Sequence, residues 1–138
     1  MTDTELNEVR HLKRRINDAE QRLMSLRSAV SKTTPRLDGL QHARPPTSNI
    51  EYLLAQIIDI ERDIKSLRAE FELAAARLAC RLYRMPLTAR EYSVIILRYV
   101  ACMTFRDIQF ELHISDATVF YHHRNATKKI LKPTVELQ

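Results

Sequence analysis

The chain has 138 residues, a formal charge of +5 at neutral pH and an isoelectric point near 9.5, a moderate basic bias that suits a polyanionic partner. Leu, Ala, Arg, Glu and Ile dominate and Gly39 is the one glycine, which argues against a glycine-rich phosphate loop and against a turn-rich β protein, so an all-α fold is expected. No run of about 18 apolar residues and no charged-then-apolar leader occurs, so neither membrane association nor secretion is expected and the protein is assigned to the cytoplasm.

The first predicted element is a helix over about residues 4–31. Val9, Ile16, Leu23 and Val30 occupy one seam position and Leu12, Ala19 and Leu26 the other, the heptad spacing of a helix that packs along another helix. Residues 32–48 carry three prolines and the glycine and read as a linker or loop. Ser48 with Glu51 three places on forms a capping box for a second helix over about residues 49–84. In that helix Ile50, Leu53, Ile57, Ile60, Ile64, Leu67, Phe71, Ala74 and Leu78 alternate by three and four, and Leu54 and Ile58 widen the apolar face. Residues 50–84 carry six cations and six acids, so the charge bias lies elsewhere. Pro86 closes this part, giving a helical region 1–84 for dimerisation or partner docking and a second domain over 85–138.

Two such helices can fold back as an antiparallel coiled-coil-like hairpin, and a second copy of the chain is the expected cover for the remaining apolar surface. The candidate dimer or partner residues are Val9, Leu12, Ile16, Leu23, Leu26, Ile57, Ile60, Ile64, Leu67 and Phe71. The competing arrangement is a monomer in which the first helix packs on the second and on the C-terminal domain.

The C-terminal domain reads as three short helices. Thr88 with Glu91 is a capping box, and Tyr92, Ile95, Ile96 and Tyr99 make the buried stripe of the helix that follows. Thr104 caps a short helix over FRDIQFEL, the chain breaks at His113-Ile114-Ser115, and Ser115 caps a final helix to about Leu131, with Pro133 beyond it. On that last helix Val119, His123, Ala126 and Ile130 fall on the core side. Ala117, Tyr121, Arg124 and Lys128 fall opposite, with Thr118, Phe120 and Asn125 at the edges. From Val119 to Lys132 there are cations at Arg124, Lys128, Lys129 and Lys132 and no acid. Two helices joined by a short turn, the second capped by Ser and basic along its exposed face, are the pattern of a helix-turn-helix whose second helix enters the major groove.

The stretch LTAREYSVIILRYVACMTFRDIQFELHISDATVFYHHRNATKKI resembles region four of bacterial sigma factors and, more closely, the sigma-like domain of the ArpU and RinA type of phage late-gene transcriptional regulators. The matching residues are Leu97-Arg98-Tyr99, Ile108, Leu112, Ser115, Val119, His123, Ala126, Lys128-Lys129 and Ile130; upstream, ARPPTSNIEYLLAQIIDIE is similar to the segment preceding that domain. Gln109 stands where that family usually has Ala, and His113 where its turn usually has Gly, a substitution that His tolerates because it is among the residues enriched at positive φ. The resemblance implies an activator of phage or mobile-element late genes, acting in a bacterial host cell on promoter DNA, with RNA polymerase as a further partner.

The expected DNA-binding residues are Arg106, Ser115, Asp116, Ala117, Thr118, Phe120, Tyr121, His122, Arg124, Asn125, Lys128 and Lys129. Thr118, Tyr121 and Asn125 or Arg124 are assigned to bases; Lys128, Lys129 and Arg106 are assigned to phosphates. The resemblance implies a core position for Phe105, where that family has a bulky aromatic residue, and the helical wheels put Phe110 and Phe120 closer to the surface. Two readings from other classes compete: a phage small terminase subunit, which would form a ring, and a sigma-mimicking module whose partner is a protein.

Catalysis is not expected. No His pair has the helical spacing of a zinc site, Cys80 and Cys102 lack metal or redox spacing, and no serine sits in a nucleophile turn, so no cofactor, metal or catalytic residue is assigned.

Overall fold

The structure is a computed structural model that describes residues 1–33 and 47–131. Among these residues the secondary structure is entirely helical: α1 (Asp3–Thr33), α2 (Thr47–Tyr83), α3 (Ala89–Ile95), a π-helical continuation of α3 (Ile96–Val100), α4 (Phe105–Leu112) and α5 (Asp116–Ile130). No described helix is long and apolar enough to cross a membrane. The expected linker, apart from its first and last residues, together with Lys132 and Pro133, lies outside the described residues, as do the side chains of the expected cap at Ser48.

Two compact units are present, and their division does not follow the expected boundary near residue 84. One unit spans Arg14–Ala69; the other joins Met1–Lys13 to the chain from Glu70 onward. In the first, the heptad seams of α1 and α2 close on each other: Leu23, Ile57, Ile60 and Ile64 are buried together, with Ala19, Leu26 and Val30 packed around them. The ion pairs Arg27–Glu61 (3.2 Å) and Glu20–Arg68 (2.6 Å) bridge the helices with residue numbers running in opposite senses, so the pair is antiparallel. Ile16 is buried here as well, and Leu67 is half-buried. These seam residues, read from sequence as an interface with a partner, pack against each other within a single chain, with Leu26 and Leu67 half-buried at the margin. Among the described residues of this unit the large exposed apolar side chains are instead Met24, Tyr52, Leu54 and Ile58, two of which the wide apolar face at the start of α2 had marked out.

The second unit forms around a different seam. Leu6 and Val9 of α1, Leu78 and Leu82 of α2, Ile95 and Tyr99 of the α3 segment, and Ala126 and Ile130 of α5 make one buried cluster, with Phe71 packed at its side. Leu12 is also buried. Fully burying a Leu or Ile contributes about 1.5–3 kcal/mol, so the first turns of α1 are an integral part of the C-terminal core, and Arg81 and Glu5 pair across it at 3.6 Å. A second cluster of Val94, Ile108 and Val119 ties α3, α4 and α5 together beneath half-buried Phe105, Leu112 and Ile114. Cys80 is exposed on α2, and Cys102 is half-buried beside the larger cluster.

Candidate nucleic-acid interface

Each short helix starts where a side chain can satisfy a free backbone N–H. Thr88 Oγ1 accepts from Glu91 N at 3.2 Å, and Glu91 Oε1 accepts from Thr88 N at 3.0 Å, a complete capping box. Thr104 Oγ1 accepts from Asp107 N (3.1 Å), and Ser115 Oγ from Thr118 N (3.3 Å). Between α4 and α5 the chain reverses at His113, whose φ of 56° and ψ of 45° are left-handed; its N–H donates to Gln109 O, and Ile114 N–H reaches the same carbonyl at 3.2 Å. The turn therefore lies where the sequence pattern put it, on a non-glycine residue.

The end of α3 was not foreseen. The stripe from Tyr92 to Tyr99 reads as one α-helix, but its last turn widens to a π-helix: Ala101 N donates to Ile96 O (3.0 Å), Met103 N to Leu97 O (2.9 Å), and Cys102 takes a φ of 60°. Arg98 organises this end. Its Nη1 donates to Met103 O at 3.1 Å and its guanidinium lies 4.1 Å from the Phe105 ring centroid, while its Nε is buried without a hydrogen-bond partner. Burial first, and then Arg10 nearby, lower the Arg98 pKa.

From Arg98 an aromatic chain leads into α5. Phe105 packs on Phe120 (4.8 Å between centroids) and meets His123 edge-on at 5.0 Å; His123 stacks with Tyr99 at 5.8 Å. The Tyr99 hydroxyl and His123 Nε2 are hydrogen-bonded at 2.8 Å. Burial lowers the His123 pKa and raises that of Tyr99, so the neutral forms of both rings are favoured. His123 belongs to the core side, as the helical wheel indicated, together with buried Val119, Ala126 and Ile130.

The opposite side of α5 presents Ala117, Tyr121, Arg124 and Lys128, all exposed, with Thr118 and Asn125 half-buried at its edges. Arg124 and Lys128 have no ion-pair partner among the described residues. At the N-terminal end Ser115 and Asp116 are exposed, and the Ser115 and Thr118 hydroxyls share a hydrogen bond of 2.8 Å. Phe120 is 46% exposed despite its contact with Phe105; His122 is half-buried with its ring against Tyr121 (5.4 Å). Arg106 is exposed on α4, 6.0 Å from the ring of Phe110, itself 64% exposed.

Lys129 differs from its neighbour. Its Nζ donates to Glu91 Oε1 at 2.7 Å, joining the end of α5 to the start of α3, and the Glu91 side chain is only 5% exposed. Burial raises the Glu91 pKa, but the bonds from Lys129 and Thr88 outweigh it and leave the carboxyl below its ordinary value. The assignment of Lys129 to a phosphate therefore competes with a bond the fold already makes. Sequence reasoning missed Glu91 as its anchor because the two are 38 positions apart.

Among the described residues no group of three or more His, Cys, Asp or Glu side chains could hold a metal ion. Comparison with protein-family models, with curated proteins and with solved structures finds no match.

Proposed function

We propose that the protein is a sequence-specific double-stranded DNA-binding transcriptional regulator that inserts α5 in the major groove, of the sigma region-four type. The reading is carried by one observation: α5 presents a small residue and hydroxyls near its capped N-terminus and unpaired cations, Arg124 and Lys128, further along. Small and hydrogen-bonding groups suit base edges, while cations without acidic partners suit phosphates. The left-handed turn at His113 supports it, since it lets two short helices follow each other within a few residues. By the resemblance described above, the targets are late-gene promoters of a phage or mobile element, regulation is by activation, and RNA polymerase is the protein partner to test at exposed Phe110. Dimerisation belongs to this proposal too, through Met24, Leu54 and Ile58 rather than through the closed seam; a concentration-independent monomer mass in light scattering would remove it.

The test is selection from a randomised duplex library at two salt concentrations. Enrichment of a motif with repeated half-sites is the expected result. Salt-sensitive background without enrichment would overturn sequence-specific readout, and co-purification of polymerase without DNA binding would favour a protein-interaction module.

A further inference from the structure

The cations of the C-terminal unit are not confined to α5. Arg10 and Lys13, one turn apart on α1, flank the residues by which that helix meets the π-helical end of α3: Val9, next to Arg10, is buried in one cluster with Tyr99, next to Arg98, and the charge of Arg10 adds to burial in lowering the Arg98 pKa. Lys13 also sits 5.7 Å from the Phe71 ring, and Phe71 and Cys102 pack against the same core cluster. No ion pair joins Arg10, Lys13 or Arg98 to a carboxylate among the described residues; Arg10 has only the Asn7 amide oxygen at 3.3 Å. Like charges held together without a counter-charge are unfavourable unless an anion neutralises them.

The position of the cluster indicates which anion. Arg98 stacks on Phe105, Phe105 on Phe120, and Phe120 borders the presented face of α5, so this stack runs from that face to Arg98. Phe105 opens α4, the helix that crosses the backbone beside a groove-bound helix. We infer that Arg10 and Lys13 of α1, together with Arg98, form a second phosphate site that takes the DNA backbone flanking the bases met by α5. This rests on the DNA-binding reading and extends it: the first turns of α1 act as a backbone clamp, not only as one arm of the hairpin.

The experiment measures duplex affinity by fluorescence anisotropy across a salt series for the full chain, Arg10→Gln, Lys13→Gln and the double variant. Arg62→Gln, an exposed site in the other unit, serves as a control of equal charge, and circular dichroism melts verify folding. Each α1 substitution should flatten the dependence of log K on log salt by about 0.9, for specific and random duplexes alike. A slope equal to that of Arg62→Gln would overturn the inference. If the unsubstituted protein binds no duplex even at low salt, the DNA reading itself fails. The site is then tested separately by titrating inorganic phosphate against chloride at matched ionic strength while following the Cys102 and Met103 amides by NMR. A phosphate-specific shift that the double variant loses keeps the anion site; no shift ends it.

Discussion

Replacing Lys129 should weaken the fold and leave DNA binding comparatively intact, the reverse of what is expected for Lys128. Breaking a fully buried pair costs about 3–5 kcal/mol, and exposed pairs are worth about 0.2–1 kcal/mol. Here the carboxylate is 5% exposed and the amine 40%, so an intermediate loss of about 1–3 kcal/mol is expected for Lys129→Ala. The same Glu91 oxygen also receives Thr88 N, so losing the lysine leaves a buried charge with a single donor. Urea denaturation of Lys129→Ala, Glu91→Gln and the double variant gives the coupling between the two, expected at about 1–2 kcal/mol. Because the folded Glu91 pKa is depressed, its contribution is present above the ordinary value of 4.5 and is lost as pH falls through the folded value. The stability difference between wild type and Glu91→Gln should therefore close in acid. Zero coupling, or a salt slope flattened by Lys129→Ala as much as by Lys128→Ala, would refute this division between the two lysines.

Three further outcomes are expected. His113→Gly should raise stability by about 0.5–1 kcal/mol, the left-handed penalty of about 1–2 kcal/mol less the entropy that glycine adds to the unfolded chain, whereas His113→Ala should not; a clear fall for the glycine variant in a thermal melt would contradict the φ of 56°. Lys128→Ala should weaken specific and random duplexes alike, and Tyr121→Ala should change the preferred sequence; equal losses on both DNAs for both variants would reject the division between base and phosphate contacts. His123 should titrate below 6.5 in an NMR pH series, and since its folded pKa is lowered, its contribution to stability is present above 6.5 and declines as pH falls below it. Titration of His123 at or above 6.5 would contradict its burial against Tyr99 and Phe105.

Local signals in the sequence were the most legible. The hydroxyl caps at Thr88, Thr104 and Ser115 each precede a helix because a cap is decided within four residues. The core side of α5 was readable for the same reason, since Val119, Ala126 and Ile130 lie on one 3.6-residue stripe. What escaped depends on distant contacts. The heptad seam of α1 runs through Val9 and Leu23 without a change of pattern, so nothing in it announced that Val9 joins Tyr99 and Ile130 while Leu23 joins Ile60. The π-helical end of α3 escaped because periodicity assumes one pitch, and the widening involves Arg98 reaching Met103 O and Cys102 turning left-handed. Within the candidate site, Lys128 and Lys129 are neighbours in a charge run about 100° apart on the helix, and the bond from Lys129 to Glu91, made across 38 positions, left no local signal.

The two thiols offer a practical handle on this molecule. Cys80 is exposed on α2, whereas Cys102 is half-buried, with its thiol near the Val100 carbonyl and its pKa raised by burial, so less of it is the reactive thiolate. A maleimide fluorophore added briefly near neutral pH should therefore attach at Cys80 on the unmodified chain. That label would sit on the helix shared by both compact units and could report encounter with a duplex or a second copy without any engineered cysteine.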